Sequence, residues 1–335
     1  MSSAAAPARP SARAVTLAGI QAPIKARLDR VVPELQRVAA HELPLIQQVS
    51  QHLLQARGKL FRPTLTLLAS DVEGRGEDAA VTLSAAIELM HLATLVHDDS
   101  VDHSVKRRGL PTLNKTFSHE VSVIMGDYLY ARALGALVRL ENLTVVRIMT
   151  DVTAELAIGE MRQLGAMDTL DFSEDAYVKT VSSKTGSLLA AACETGSLFG
   201  AARHQAALAR YGELLGIAFQ IADDLLDYGD TSVTGKPSGL DLMEHKVTLP
   251  LIGALKAITP AARKRVEALF AAAEPSDALV AEVKGLVAES GGLEYAHQRG
   301  AEFAEAAHQT LAPLPDTPAR AALADAIVYV MERVS

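Results

Sequence analysis

Apolar residues recur every three or four positions along nearly the whole chain. Between Ala12 and Gln55 they form two such groups, one on each side of Pro44. The first group contains Ile24, Leu28, Val31, Val32 and Leu35, and the second contains Leu45, Ile46, Val49, Leu53 and Leu54. Because residues at this spacing lie on one side of a helix, the pattern predicts two amphipathic helices that face a core.

The same periodicity predicts helices for the rest of the chain, separated by Gly, Pro and short polar breaks. The predicted helices begin near Pro63, Ala79, Val121, Val145, Ser187, Tyr211, Lys246 and Pro260, and the later breaks fall at 274–276, 291–292 and 313–318. No alternation typical of strands extends over a useful length, and no linker divides the core. The pattern therefore predicts an all-α fold with one domain over residues 12–335, preceded by a disordered Ala-, Pro- and Ser-rich tail over residues 1–11.

The composition is typical of a folded protein with an acidic surface. Of the 335 residues, 49% are apolar and 21% are charged, which provides ample side chains for a core. The net charge of −8 argues against a nucleic-acid surface, because such surfaces are basic. Cys193 is the only cysteine, so no intrachain disulfide can form, and a reducing cytoplasm is the expected location. No apolar stretch reaches the roughly 18 residues of a membrane span, so no transmembrane segment is expected.

An acidic cluster ends the apolar stretch that begins at Ile87. It consists of Asp98, Asp99 and Asp102, and we call it the first acidic cluster. At about 100° per residue, Asp98 and Asp102 share one helix face and Asp99 lies on its flank. Three carboxylates so close repel one another unless a cation lies between them, and Mg²⁺ commonly joins such carboxylates to substrate phosphates. The cluster indicates a metal site, although a solvated acidic helix end would show the same residues.

A second acidic cluster reproduces this spacing on another predicted helix. Asp223, Asp224 and Asp227 begin 125 residues after Asp98 (223 − 98), too far away to belong to the same local motif. Two such helices facing each other could hold a diphosphate and several Mg²⁺ ions between them. The repetition therefore favours a shared site between two helices.

Basic residues accompany the first acidic cluster and an earlier helix start. Arg107 and Arg108 follow the cluster, and Lys59 and Arg62 precede a helix that restarts at Pro63. Guanidinium and ammonium groups near the backbone N–H groups of a helix start are suited to phosphate. His91 lies seven residues before Asp98, two turns away on nearly the same face. These positions predict anionic substrates next to the metal site.

With these motifs in order, the sequence resembles the trans-isoprenyl diphosphate synthases, also called the polyprenyl synthetase family, from about Gln21 to the C-terminus. Six segments occur in the order and at the spacings of that family: GKLFRP, HDDSVDHSVKRRG, SKTG, FQIADDLLD, GKPSG and KVTLP. The resemblance implies a homodimeric bundle of the isoprenoid-synthase type around a deep central cavity. It also implies the Mg²⁺-dependent, head-to-tail (1′-4) condensation of isopentenyl diphosphate with an allylic diphosphate.

The resemblance assigns a role to each matching residue. Asp98 and Asp102, assisted by Asp99, would bind two Mg²⁺ ions, and Asp223, with Asp224 and Asp227 nearby, would bind a third. The allylic diphosphate would be held by Arg107, Lys184, Thr185, Gln220, Lys236 and Lys246, and isopentenyl diphosphate by Lys59, Arg62, His91 and Arg108. The residues expected to act directly in catalysis are Asp98, Asp99, Asp102, Arg107, Lys184, Asp223, Asp224 and Lys236. The departing pyrophosphate is the family's usual base, and no protein nucleophile is needed.

Product length is connected to two small residues ahead of the first acidic cluster. In the family, the residues four and five positions before the first aspartate form or open the floor of the cavity, and here they are Thr94 and Ala93. Bulky aromatic residues there stop the chain near the farnesyl or geranylgeranyl stage. A small pair resembles the long-chain octaprenyl-type synthases, so a long all-trans product is expected, released with a transient membrane contact.

Some positions depart from the family pattern, and other functions stay open at this point. His245 stands where many members have Gly, and Arg57 stands in place of the first glycine of a pair. The alternatives are a short-chain farnesyl or geranylgeranyl diphosphate synthase and a non-catalytic subunit of a heteromeric synthase. A terpene cyclase or a head-to-head enzyme would not need the second diphosphate site that Lys59, Arg62 and Arg108 indicate. A non-catalytic subunit would be expected to lack aspartates in one cluster, and both clusters are intact.

Overall fold

The computed structural model describes residues 15–55, 58–169, 172–229 and 238–332, without the side chains of 166–169. The predicted all-α architecture is confirmed. The α-helices are α1 (Leu17–Gln21), α2 (Lys25–Ala39), α3 (Pro44–Gln55), α4 (Phe61–Ser70), α5 (Ala79–Val101), α6 (Leu113–Thr116), α7 (His119–Val138), α8 (Leu143–Thr169), α9 (Glu174–Val181), α10 (Ser187–Ser197), α11 (Gln205–Asp227), α12 (Leu240–Met243), α13 (Leu249–Leu255), α14 (Pro260–Ala271), α15 (Asp277–Glu289), α16 (Gly292–Thr310) and α17 (Pro318–Met331). Short 3₁₀ turns span Ala22–Ile24 and Ala202–His204, and a π-turn spans Ser182–Gly186. The predicted tail, residues 1–11, lies outside the described residues.

Polar side chains at the helix starts explain where several helices begin. A Ser or Thr side chain just before the helix accepts a hydrogen bond from a backbone N–H of the first turn, which would otherwise lack a partner. This cap occurs at Thr16, Ser118, Ser173, Thr259, Ser276 and Thr317. Pro260 and Pro318 occupy the first position of their helices, where a missing N–H costs nothing. These local signals place α14, α15 and α17 at the predicted breaks.

The helix that carries the first acidic cluster, α5, lies in the centre of the largest hydrophobic core. It packs against α2, α4, α7 and α10, and side chains on all its sides are buried. The helix of the second cluster, α11, packs against α10 and α16. Smaller clusters of apolar side chains lie among α12–α15 and between α9, α11, α13 and α16. The two acidic clusters are therefore anchored in buried helices.

The sequence predicts no stretch with the length and composition of a membrane span, but two helices of the described chain have both. Ala79–Val101 and His119–Val138 both pass that test, so the expectation was wrong as a statement about composition. The apolar window of Ala79–Val101 is 72% buried within the protein, whereas that of His119–Val138 is 39% buried. Since a core helix of a globular protein passes the same test, α5 is explained by its packing.

A small hairpin follows the first acidic cluster, where no strand was predicted. Strands β1 (Lys106–Arg107) and β2 (Leu110–Pro111) are antiparallel, with Arg107 opposite Leu110. The two turn residues between them, Arg108 and Gly109, have φ angles of 51° and 81°, as tight hairpin turns require. The hairpin therefore places Arg107 in a strand and Arg108 in the turn that follows it.

Candidate functional site

The first acidic cluster lies at the C-terminal end of α5. Asp98 is half-buried and Asp102, which follows the last residue of the helix, is exposed. Burial raises the pKa of Asp98 to about 6; Lys184 opposes this shift, whereas the negative charges of Glu160 and Asp102 add to it. Burial likewise raises the pKa of Asp102, and the charge of Lys246 opposes it. The two carboxylates therefore face basic groups from two distant segments.

The middle residue of the first cluster, Asp99, has a different environment. Its carboxylate is buried and accepts hydrogen bonds from Arg107 Nε at 2.8 and 2.9 Å, with Arg107 Nη2 2.8 Å from Oδ1. Asn114 Nδ2 donates to the Asp99 carbonyl oxygen over 3.2 Å. This fork-like pairing fixes Arg107 on the hairpin beside the end of α5. Asp99 thus positions an arginine that was predicted to hold the allylic diphosphate.

The second acidic cluster divides in the same way. Asp223 is exposed, whereas Asp224 is buried and accepts hydrogen bonds from Tyr177 Oη at 2.6 Å and Gln220 Nε2 at 2.8 Å. Asp227 accepts hydrogen bonds from the backbone N–H groups of residues 240 and 241, both at 3.1 Å. Its carboxylate therefore holds the start of the short helix α12. In each cluster, at least one aspartate therefore forms hydrogen bonds with other residues of the protein that hold the site in place.

Lys184, from the predicted SKTG motif, lies in the π-turn between α9 and α10. Its Nζ is 2.6 Å from Glu160 Oε2 and donates to Gln163 Oε1 over 3.0 Å. The turn lies against α8 and α11 at glycines: a Cβ on Gly159 would be 2.9 Å from the Lys184 backbone nitrogen, and one on Gly216 would be 2.6 Å from the Gly186 Cα. Small residues in α8 and α11 therefore allow Lys184 to approach the acidic clusters.

The basic residues predicted to bind isopentenyl diphosphate lie beside the middle of α5. Within the described chain, the buried Nε of Arg62 has no hydrogen-bond partner. Burial lowers the pKa of Arg62 to about 10, with Glu88 opposing the shift and Arg108 adding to it. Burial lowers the pKa of His91 well below its usual value, and the nearby arginines add to this effect. An uncharged His91 beside a buried, unsatisfied guanidinium N–H is consistent with a pocket for an anion.

Lys59 completes this group at its exposed edge. Its Nζ donates a hydrogen bond to the hydroxyl of Tyr329 in α17 over 3.1 Å. Gly58 leaves room for Arg108, because a Cβ there would lie 2.8 Å from Arg108 Nη1. Lys59, Arg62, His91 and Arg108, which the sequence separates by up to 49 positions (108 − 59), therefore belong to one region.

Left-handed backbone conformations occur at several positions of the site. Leu60, Arg108 and His245 have φ angles of 54°, 51° and 56°, although none of them is glycine. The glycine that many family members have in place of His245 would adopt this conformation without strain. The departure at His245 therefore preserves the turn that leads to Lys246, at some conformational cost.

Lys246 connects the two acidic clusters. Its Nζ is 3.9 Å from Asp241 Oδ1, and its backbone N–H donates to the Asp241 carbonyl oxygen over 2.7 Å. Its charge also opposes the raised pKa of Asp102, whereas Asp223 adds to the raised pKa of Asp241. The ends of α5 and α11 therefore face a common region that contains Lys246.

The predicted site residues do not form a complete metal site by themselves. Among the side chains that the structure describes, no three His, Cys, Asp or Glu groups are placed to hold one ion. The exposed Asp102 and Asp223 and the half-buried Asp98 nevertheless fit Mg²⁺, which usually takes one or two carboxylates and completes its shell with phosphate oxygens and water. Lys236, also predicted here, lies outside the described residues.

The two residues predicted to control product length have different surroundings. Ala93 is 1% exposed, so its methyl group is enclosed by neighbouring atoms. Thr94 is half-buried, and its hydroxyl donates to the His91 carbonyl oxygen over 2.8 Å. Because that hydrogen bond stays within α5, the hydroxyl is not available to a substrate. Ala93 and Thr94 are therefore two small side chains on α5, less than two helical turns before Asp98.

Sequence reasoning missed several residues of this region. Tyr177 and Asp241 have no spacing signal, because each contacts the second acidic cluster from a separate segment. Glu160 and Gln163 lie three residues apart on α8 and meet Lys184. Their spacing places two polar groups on one helix face and could have indicated a polar contact near the site.

The raised pKa values predict how pH changes the stability of the metal-free protein. Burial raises the pKa of Asp98 to about 6 and that of Asp241 to about 7, and it also raises the pKa of Glu88 and Asp224. Since these acids titrate near pH 4 when unfolded, the folded state binds more protons between about pH 4 and pH 7. The lowered pKa of His91 has the opposite effect on the pH dependence of stability, but His91 is one group against several with raised pKa values.

We therefore expect the metal-free protein to melt about 3 °C or more higher at pH 5.5 than at pH 7.5. Thermal denaturation in a metal chelator measures this difference. A parallel series with saturating Mg²⁺ and pyrophosphate serves as the control, because ligands that need ionised aspartates should reduce or reverse it. A melting temperature that falls on acidification of the metal-free protein would contradict the burial of these carboxyl groups.

The chain is similar in sequence and in structure to known proteins over most of its length. The polyprenyl synthetase family model matches residues 43–287. An all-trans-nonaprenyl-diphosphate synthase (geranyl-diphosphate specific) of Rhodobacter capsulatus is 38% identical over 296 residues, 88% of this chain and 90% of the relative. A nonaprenyl diphosphate synthase of Mycobacterium tuberculosis is 40% identical over 287 residues, 84% of this chain and 85% of the relative. The crystal structure of a polyprenyl synthase from Caulobacter crescentus CB15, complexed with calcium and isoprenyl diphosphate, has a TM-score of 0.91 at 31% identity and covers 97% of this chain and 100% of that chain.

Proposed function

Because the chain belongs to the polyprenyl synthetase family, we propose that it joins isopentenyl diphosphate head to tail to an allylic diphosphate, giving a long all-trans polyprenyl diphosphate. One observation supports this more than any other. Lys184 and Lys246 face the first acidic cluster, Lys246 also faces Asp241 next to Asp223, and a buried arginine with an unsatisfied N–H, Arg62, lies near Arg108. Incubation with labelled isopentenyl diphosphate and separate allylic primers tests the proposal directly.

The first step is the loss of the diphosphate from the allylic substrate. The leaving diphosphate would be contacted by Arg107, Lys184 and Lys246. Asp99 holds Arg107, and the two lysines already interact with carboxylates of the site. Mg²⁺ ions at Asp98, Asp102 and Asp223 would supply further positive charge there. These fixed cations stabilise negative charge as it develops, so the allylic C–O bond can break without a protein nucleophile.

The second step is the attack of the isopentenyl double bond on the allylic cation. Lys59, Arg62 and Arg108 would hold the isopentenyl diphosphate, and this positioning supplies part of the rate. His91 is held in its neutral form and is therefore a hydrogen-bonding group rather than a second cation. A proton then leaves the new carbon skeleton, and the departing pyrophosphate is the proposed acceptor, as the family resemblance implies.

The metal is proposed to be Mg²⁺, with three ions in each active site. Members of this family use a divalent metal, and the Caulobacter crescentus structure contains calcium together with isoprenyl diphosphate. Asp98 is half-buried and Asp102 and Asp223 are exposed, whereas the half-buried Asp227 accepts hydrogen bonds from the backbone N–H groups of residues 240 and 241, so the first three are the proposed ligands. Hard oxygen ligands of this kind favour Mg²⁺ when phosphate is also present.

We also propose that the enzyme is a homodimer whose second copy covers the outer face of α7 and α8. Large apolar side chains are exposed on these helices and on the residue where α8 begins: Val123, Ile124, Val138, Leu143, Ile158, Met161 and Leu164. Exposed large apolar side chains grouped on two helices that contact each other are typical of an interface. A second copy of the same chain would bury this face symmetrically.

A cytoplasmic location and a transient membrane contact during product release belong to the same proposal. The lone cysteine, Cys193, is buried and free, which is consistent with a reducing compartment. Val101, Val105 and Leu240 are exposed apolar residues on segments that adjoin the acidic clusters. Such residues could touch a lipid surface when a hydrophobic product leaves.

Enlarging Ala93 should shorten the product. In the Ala93→Tyr variant, a large ring replaces a methyl group one turn before Asp98, so the growing chain would meet an obstacle early. Because the site is enclosed, the variant should also lose about 1–3 kcal/mol of stability. Chromatographic sizing of the dephosphorylated products measures the change. Ala133→Tyr, which enlarges a buried alanine of α7 instead of α5, is the control for overpacking alone. An unchanged product ladder in a folded Ala93→Tyr enzyme would show that the floor lies elsewhere.

A further inference from the structure

A chain of hydrogen bonds lies behind the second acidic cluster. Tyr177 Oη donates to Asp224 Oδ2 over 2.6 Å, and Gln220 Nε2 donates to Asp224 Oδ1 over 2.8 Å. The other end of the Gln220 amide accepts a hydrogen bond from Thr185 Oγ1 over 2.9 Å. Four side chains therefore connect α9, α11 and the π-turn in one continuous series.

Both donors to Asp224 are needed because this carboxylate is enclosed. Asp224 is 5% exposed and Tyr177 is 7% exposed, so water has little access to either group. No Lys, Arg or His of the described chain forms an ion pair with Asp224. A buried carboxylate without a cation depends on its hydrogen-bond donors, and each charge-assisted bond is stronger than a neutral one. Loss of the Tyr177 hydroxyl would leave one oxygen of Asp224 unsatisfied.

Two members of this chain of hydrogen bonds are adjacent in sequence to residues of the site on different segments. Asp224 immediately follows Asp223, and Thr185 immediately follows Lys184. Because adjacent residues of a helix are about 100° apart, the hydrogen bond from Tyr177 on α9 to Asp224 restrains the rotation of α11 and thereby the placement of the Asp223 backbone. The hydrogen bond between Thr185 and Gln220 likewise ties the turn that carries Lys184 to α11. Thr185 and Gln220 were predicted to hold the diphosphate. In the structure, Thr185 Oγ1 and Gln220 Oε1 instead form a hydrogen bond with each other.

We propose that Tyr177 is a positioning residue of the active site. Its hydroxyl holds Asp224 and, through Gln220 and Thr185, sets the placement of Asp223 relative to Lys184. The ligand that senses this placement is a magnesium-bound diphosphate, so the inference rests on the proposed function. Tyr177 itself does not touch the reacting atoms.

The test compares Tyr177→Phe with Tyr211→Phe. Tyr211 is also a fully buried tyrosine whose hydroxyl donates a 2.7 Å hydrogen bond, but its partner is the Leu323 carbonyl oxygen, and it lies twelve positions before Asp223 on α11. Each variant loses one buried hydroxyl and one hydrogen bond, so both should melt at lower temperatures. Only Tyr177→Phe should also change the binding of a magnesium-bound diphosphate.

Two measurements separate positioning from simple destabilisation. Calorimetric titration of inorganic pyrophosphate into the folded protein with Mg²⁺ should show about tenfold weaker binding for Tyr177→Phe, the loss expected for one charge-assisted hydrogen bond. The Mg²⁺ concentration that gives the half-maximal rate should rise about fivefold. In Tyr211→Phe, both values should stay within about twofold of the wild type. Pyrophosphate affinity and Mg²⁺ dependence of Tyr177→Phe that match those of Tyr211→Phe would overturn the inference.

A second variant keeps the test usable if Tyr177→Phe does not fold. Gln220→Met removes the other donor to Asp224 and retains a side chain of similar length, so it should produce the same weakening of pyrophosphate binding. Unchanged binding in folded Gln220→Met would likewise overturn the inference. The wild-type enzyme in the same assays separates the two proposals. If the wild type elongates no primer, the proposed function is refuted. If the wild type elongates primers normally and the variants bind pyrophosphate as it does, only the role of Tyr177 is refuted.

Discussion

Replacement of Asp98 by alanine is expected to lower kcat about 100-fold or more, because it removes a preorganised group that stabilises charge on the leaving diphosphate. Asp223→Ala, on the opposite helix, should have an effect of the same size. Steady-state rates with saturating substrates and Mg²⁺ measure both. If either variant retained near-normal turnover, the two acidic clusters would not form one metal-dependent site.

Stability distinguishes this loss from misfolding. Burial raises the pKa of Asp98 to about 6, so at pH 7 its charged form is less favourable in the folded protein than in the unfolded chain. Removing the carboxylate should therefore leave the melting temperature of the metal-free protein unchanged or higher. Asp316→Ala is a matched control, because the Asp316 side chain is 99% exposed, and both its rate and its melting temperature should match the wild type.

Replacement of Arg62 by methionine is expected to raise KM for isopentenyl diphosphate about 100-fold, because hydrogen bonds to a charged group contribute about 3 kcal/mol. The buried N–H of Arg62 that has no partner in the described chain would find one in the diphosphate. Methionine retains much of the apolar volume and removes a buried charge, so stability should change by about 1 kcal/mol or less. Initial rates at varied isopentenyl diphosphate concentrations measure the effect.

Arg27→Met is the control for the loss of a partly buried arginine. Arg27 Nη2 is 3.1 Å from Asp71 Oδ1, and Nη1 donates to Ser70 Oγ over 3.0 Å, so its guanidinium already has protein partners. This variant should lose stability and keep its KM. A KM for Arg62→Met within about threefold of the wild type would place isopentenyl diphosphate elsewhere.

The fold was predicted well where the apolar pattern and helix caps agree. The break at Pro260 marks the start of α14, and the helix predicted over about 145–164 is observed as α8, Leu143–Thr169. The helix predicted near Tyr211 instead begins at Gln205, because the preceding Ala-rich residues favour a helix without showing an amphipathic pattern. The hairpin was missed because two-residue strands carry too little alternation to be read from sequence.

The site was predicted residue by residue only where motifs are local. The six aspartates follow a repeated spacing, but the spacing does not show that Asp99 pairs with Arg107 or that Asp227 holds the start of α12. The hydrogen bond from Tyr177 to Asp224 joins residues 47 positions apart. Such contacts depend on how helices pack, and a one-dimensional pattern does not record them.

The most direct test of the proposed activity is to size the products of the purified protein. The protein is incubated with Mg²⁺, labelled isopentenyl diphosphate and one allylic primer at a time, and the dephosphorylated products are separated by chain length. We predict a ladder of all-trans products that extends beyond geranylgeranyl, with no products when Mg²⁺ is chelated. A ladder that stops at farnesyl or geranylgeranyl would contradict the long-chain assignment, and no incorporation with any primer would contradict the enzymatic function itself.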